Sequence, residues 1–177
     1  MLWEDVKAAE EKRPVRHPNR ELPEAQTARL GVVLLLALTI AMLLIVAIGG
    51  WSTLVGAKAL HLAFMGIYGI FIFFVIKWNR GVLPVIAGTA VILGVFALVA
   101  GPAWFARDKT GYASPALPDA VLGVITLGLI PVQMLLIVVA MWGFSQKWNV
   151  EEEIKPGESA TSPPPPPAAP TAPAAAG

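Results

Sequence analysis

Polar and apolar positions along this chain do not alternate; they come in blocks. Charged side chains gather in Met1–Arg29, Lys77–Arg80, Arg107–Asp119 and Lys147–Glu158, with Lys58 alone between them. The runs left uncharged are Leu30–Ala57, Ala59–Ile76, Gly81–Ala106 and Ala120–Gln146. Each reaches the roughly 18 to 20 residues with which a helix crosses about 30 Å of hydrocarbon. Lipid offers no partner to a free peptide group, so such runs must satisfy their own backbone as helices. The pattern predicts an all-α integral membrane protein, a four-transmembrane-helix bundle with helices at about 30–50, 59–76, 82–104 and 120–142. These form a domain over 30–146, between an N-terminal arm (1–29) and a Pro/Ala-rich tail (147–177).

Four spans place the arm, the Lys77–Arg80 turn and the tail on one side. That side holds ten Lys and Arg residues; the other holds Lys58, Arg107 and Lys109. The positive-inside bias then sets both termini in the cytoplasm. Tryptophans give the same frame, because Trp51 and Trp104 fall at outer helix ends and Trp78 and Trp142 at inner ends. The link KWNRG between the second and third helices is very short, so that pair is expected to pack antiparallel. The outer connection Pro102–Asp119 is the longest loop and the expected ordered feature outside the membrane.

Composition changes the picture mainly by exclusion. Charged residues make up only 14% of the 177, against about a quarter in soluble domains, which fits a chain largely in lipid. There is no cysteine, which removes disulfides, thiolate metal sites and cysteine nucleophiles. A net charge of +1, without a basic patch interleaved with aromatics, argues against a nucleic-acid partner. The arm is polar and the first apolar run is too long for a signal-peptide core, so that helix is expected to remain. Residues Gly157–Gly177, with prolines at 163–167, read as a disordered spacer of polyproline character. Met1–Arg13 reads as either a short amphipathic helix or a disordered segment.

Two packing signals lie inside the spans. Ala87, Ala90, Gly94, Ala97 and Gly101 draw one stripe of small residues along the third helix. In lipid, close backbone approach drives helix association, and small residues permit it. Ala37 and Ala41 offer a shorter counterpart on the first helix. The second signal is LGLIPVQMLL in the fourth helix. Pro131 lacks an N–H and crowds the carbonyl of Leu127, so a kink is expected there. Gln133 brings an amide into hydrocarbon, where an unpaired polar group costs several kcal/mol. Thr39, Tyr68 and Thr89 stand near the centres of the other helices, so the four predict a midplane hydrogen-bonded layer.

Candidate chemistry is sparse. Lys58, His61, Met65 and Tyr68 share one face of the second helix. His61 is the one histidine near a span and the only candidate for binding a cofactor. Haem would need a second axial ligand, for which only a methionine such as Met42 or Met65 is available, and Met65, on the same helix, cannot reach the opposite haem face. An interfacial histidine paired with Asp108 or Asp119 is the simpler expectation, and Lys58 is expected to snorkel to the surface. No Asp or Glu lies within a span, as an ion-coupled carrier would want. No metal-ligand spacing, nucleophile–base pair or phosphate-binding glycine loop is present.

Four spans and a Pro/Ala tail resemble, in composition, small inner-membrane proteins of high-GC bacteria. The expectation is therefore a non-enzymatic multi-pass subunit or accessory protein of a larger bacterial inner-membrane complex, respiratory or transport-related. It would contact the lipid bilayer and other membrane subunits, and hold no cofactor. One alternative is a small transporter or channel component using the Pro131 kink and the polar layer. Another is a quinone- or haem-associated redox protein centred on His61.

Overall fold

The computed structural model describes residues 15–107 and 114–153. Among them, four helices are long and apolar enough to cross a membrane: α1 (Pro23–Gly49), α2 (Lys58–Ile76), α3 (Val82–Phe105) and α4 (Asp119–Ser145). They belong to a unit spanning Asn19–Val150. In a separate unit, Val15–Arg16 pairs antiparallel with Glu152–Glu153 as a two-residue ladder. The expectations for Met1–Arg13, for Asp108, Lys109 and Tyr112, and for the tail from Gly157 lie outside the described residues.

Charge-free length places the spans but not every helix end. α1 starts at Pro23, well before Leu30, so Glu24 and Arg29 are helical. Proline is suited to the first helical turn, because an N–H there has no partner in the helix. Glu24 then sets a negative charge beside the positive end of the helix dipole. Ala25 and Ala28 are fully buried, so this extension is packed.

Each helix turns one stripe inward at spacings of three and four. On α1 the stripe runs Val32, Leu36, Thr39, Leu43, Val46, and on α2 Phe64, Tyr68, Phe71, Val75. α3 packs most extensively against α4, and α1 lies against both α4 and α2. The α2–α3 pair, despite its short link, is the least intimate neighbour pair in the bundle. The side chains explain this correction. α2 faces inward with three aromatic rings, which stand it off from α3, whereas α3 offers α4 small residues.

The stripe on α3 is an internal seam. Ala87, Ala90 and Ala97 are buried. A Cβ placed on Gly94 would rest 3.9 Å from the Gln133 Cβ, and one on Gly101 would collide with the Leu127 side chain. α4 reciprocates at Gly123, where a Cβ would come within 2.6 Å of the Phe105 ring. The expected counterpart on α1 is different: Ala37 and Ala41 face outward. Gly31 takes their place against α4, where a Cβ would lie 3.1 Å from Val139.

The ends of the bundle are fastened differently. At the Lys77–Arg80 end, Trp78 has φ 60°, in the left-handed region just beyond the last turn of α2. The Trp78 and Asn79 amides donate back to the carbonyls of Val75 (3.0 Å) and Phe74 (3.1 Å). That is a Schellman closure, normally given to glycine. Packing offsets the strain: Trp78 meets the fully buried Trp148 edge-on at 5.3 Å, and Arg29 lies 4.6 Å over its ring. At the Trp51 end, Gly49 and Gly50 leave room for Leu117 and Trp104 to sit directly on the chain. The Ala116 amide donates to the Gly49 carbonyl at 2.8 Å, pinning the foot of α4 to the top of α1.

Candidate functional site

The centre of the bundle holds a three-helix hydrogen-bond chain. Tyr68 on α2 donates its hydroxyl to Gln133 Oε1 at 2.7 Å. Gln133 Nε2 on α4 donates to Thr39 Oγ1 on α1 at 3.0 Å. Thr39 in turn donates to the Leu35 carbonyl one turn back at 2.8 Å. Tyr68 and Thr39 are fully buried and Gln133 is 1% exposed, so the chain is sealed from both lipid and water. The Tyr68 ring, flanked by Phe64 and Phe71, is the bridge that reaches across from α2 to α4.

Thr89 is not part of this layer. It is half-buried and donates to the Val85 carbonyl of its own helix at 2.9 Å. Its depth suits the layer but its azimuth does not, since the inward positions on either side of it are Ala87 and Ala90. Pro131 faces outward while α4 continues through it as helix, so the ring points away from Gln133. A threonine that depth alone did not single out, Thr126, is buried about two helical turns before Gln133 and donates to the Leu122 carbonyl at 2.7 Å.

Where α2 and α3 separate, a cavity of about 260 Å³ opens in the half nearer Trp104. Phe64, Leu93, Phe96, Ala97 and Leu129 line it, with His61, Arg107 and Thr126 as polar members. Leu60, Phe96 and Val99 also line it and are exposed, so it opens sideways between the helices. His61 Nδ1 is 2.9 Å from the Ala57 carbonyl. A carbonyl only accepts, so Nδ1 carries the proton, and in the neutral ring Nε2 is left as an acceptor. His61 is therefore tied to its own helix, and Asp119 instead opens α4. Lys58 lies 4.7 Å over the Trp51 ring. Arg107 lies 5.0 Å over the Trp104 ring and donates to the Thr53 carbonyl at 3.3 Å. Met42, the one methionine on another helix raised by the haem alternative, packs on Gly128 of α4. No cluster of three His, Asp or Glu side chains exists among the described residues.

Counting charges also hid what the arginines do. Arg29 Nη2 donates to the Ile76 carbonyl at the end of α2 (2.9 Å), and Arg80 Nε to the Phe144 carbonyl at the end of α4 (2.7 Å). Arg20 Nε reaches the Trp148 carbonyl at 3.1 Å. Asn19 Nδ2 completes the set on the carbonyls of Gln146 (3.1 Å) and Lys147 (3.0 Å). Arg29 and Arg80 thus sit at the negative ends of two helix dipoles and satisfy carbonyls that have no partner within the helix, while Arg20 and Asn19 hold the segment just beyond α4. For Arg80, its place in the short link after a span was the available signal.

No family model, curated protein or solved structure matches this chain.

Proposed function

We propose that the protein is a non-enzymatic, multi-pass helical subunit of a larger bacterial inner-membrane complex, respiratory or transport-related, with both termini in the cytoplasm. The observation that carries this reading is the outer face of α2. Ala59, Ala63 and Gly66 are exposed there at spacings of four and three, and a Cβ on Gly66 or Gly69 would meet nothing within 4 Å. In lipid such a surface lets a second helix come close, and this bundle supplies no helix to cover it. Ala37 and Ala41, also outward, repeat the motif on α1. The polar centre supports the same reading, because Gln133, Tyr68 and Thr39 satisfy one another. A solute path through that layer draws less support for the same reason.

Native mass spectrometry of the protein extracted in mild detergent tests the proposal. The wild type should carry a larger membrane protein at fixed stoichiometry. Gly66→Leu should lose that partner while keeping its helicity and monodisperse elution. A wild-type protein that emerges as a lone monomer or a homo-oligomer would overturn the subunit reading. Protease accessibility in inverted vesicles tests the orientation: ends cleaved from opposite faces would refute it.

A further inference from the structure

The groove between α2 and α3 has a size, a polarity and an opening that together specify a ligand. Its volume of about 260 Å³ lies below the roughly 300–1,000 Å³ of pockets that engulf a whole small molecule. It suits a single chain entering from the side with its head left at the mouth. The walls there are apolar and partly aromatic, through Phe64, Leu93, Phe96 and Val99. The charged or titratable members are Arg107 and His61; Thr126 also lines the groove but its hydroxyl is tied to the Leu122 carbonyl, and no carboxylate lines it among the described residues. Lys58 stands one helical turn from His61, on the same face. The mouth is thus cationic and the slot apolar.

We propose that this groove binds an anionic glycerophospholipid whose headgroup carries free hydroxyls, of the phosphatidylglycerol class, with one acyl chain between α2 and α3. The Arg107 guanidinium donates to the phosphate, a pairing whose fork geometry matches phosphate oxygens. A headgroup hydroxyl donates to His61 Nε2, which the bond from Nδ1 to Ala57 leaves free as an acceptor. A quinone, which carries no hydroxyl, would leave that acceptor without a donor. Trp51 and Trp104 sit behind the two cations Lys58 and Arg107 and hold them at headgroup depth. This proposal stands on the groove alone and is independent of any partner subunit.

The test uses the delipidated full-length protein in detergent. Phosphatidylglycerol, phosphatidate and phosphatidylcholine of identical acyl chains are titrated, and bound lipid is counted by native mass spectrometry. The wild type should retain phosphatidylglycerol at least about tenfold better than phosphatidylcholine, whose choline cation is repelled by Arg107 and Lys58 and has no hydroxyl to donate to His61. Arg107→Gln should abolish that preference and Arg107→Lys should keep most of it. His61→Leu should lower phosphatidylglycerol to the level of phosphatidate, which lacks the hydroxyls. Ala100→Phe, placed on the exposed rim of the slot, should reduce binding of all three lipids. Circular dichroism and elution volume confirm folding, and Ala100→Phe decides the matter if Arg107→Gln fails to fold. Equal retention of phosphatidylglycerol and phosphatidylcholine, a preference unchanged in Arg107→Gln, or undiminished binding of all three lipids by Ala100→Phe, would overturn the site. A preference for phosphatidylglycerol over phosphatidate that survives His61→Leu would overturn the hydroxyl contact.

Discussion

The two sides of α3 show how one helix can be closed on one flank and open on the other. Toward α4 it presents Ala87, Ala90, Gly94, Ala97 and Gly101, and the backbones come close enough that Leu127 covers Gly101. Toward α2 it presents Phe96 and Val99 to a helix whose own inward residues are Phe64, Tyr68 and Phe71, and a lateral groove remains. Both flanks are apolar. Hydrophobicity therefore does not decide which closes, as expected where lipid is as apolar as leucine. Side-chain size decides it. Small residues on one partner give contact along the helix, and large residues on both give contact at rings with space between.

The strongest way to break the contrast is Gly101→Leu. The new side chain and Leu127 would claim the same volume, at a cost of about 3 kcal/mol, the upper part of the usual range for overpacking. Thermal unfolding in detergent should register a large drop. Leu127→Ala in the same chain should recover a substantial part of it, because the two positions are in contact and their effects do not add.

A smaller loss is expected from Gln133→Leu, which cuts the link between α2 and α4. Thr39 keeps its bond to the Leu35 carbonyl, so only the Tyr68 hydroxyl is stranded. The expected destabilisation is about 1–2 kcal/mol, most of it the cost of that buried orphan, since interhelical bonds in membranes average nearer 0.6 kcal/mol. Adding Tyr68→Phe should then raise stability relative to Gln133→Leu alone. If the second substitution lowers it further, the hydroxyl has another role. At the Lys77–Arg80 end, Arg80→Ala should cost about 1 kcal/mol, because it uncovers the Phe144 carbonyl and removes the guanidinium 4.1 Å above the Phe144 ring. Arg80→Lys should recover only part, as an ammonium cannot reproduce the flat stack.

What the sequence made legible follows the same physics. Long uncharged runs are a one-dimensional signal, and the four helices are where those runs lie. The seam on α3 was visible because five small residues keep register over more than three turns. For Gln133, depth alone pointed to Thr39 and Tyr68, and depth alone also pointed to Thr89. Telling them apart needs azimuth, which the linear order of four separate helices does not contain. The start of α1 at Pro23 escaped because charge marks where hydrocarbon ends, and a helix need not stop there. Ala37 and Ala41 point outward because Val32, Leu36, Thr39 and Leu43 define the inner stripe between them. The groove was hidden for a related reason. A short link suggests neighbours, but the rings of α2 set the separation, and ring packing is a property of the assembled bundle.

Adjacent residues give the smallest and sharpest of these tests. Ala100 and Gly101 are sequence neighbours, yet Ala100 lines the open slot and is exposed, while Gly101 is buried under Leu127. Ala100→Phe adds more volume than Gly101→Leu would need to disrupt the seam. It should nevertheless leave the unfolding temperature in detergent within the scatter of the wild type, about 0.5 kcal/mol either way, as for other exposed sites without special contacts. Depth in the membrane is nearly the same at the two positions, and helix propensity alone would favour Gly101→Leu over Ala100→Phe, the reverse of the order expected here. A large destabilisation by Ala100→Phe would therefore mean that α2 and α3 close on each other in solution, and that side-chain size does not separate the two flanks of α3.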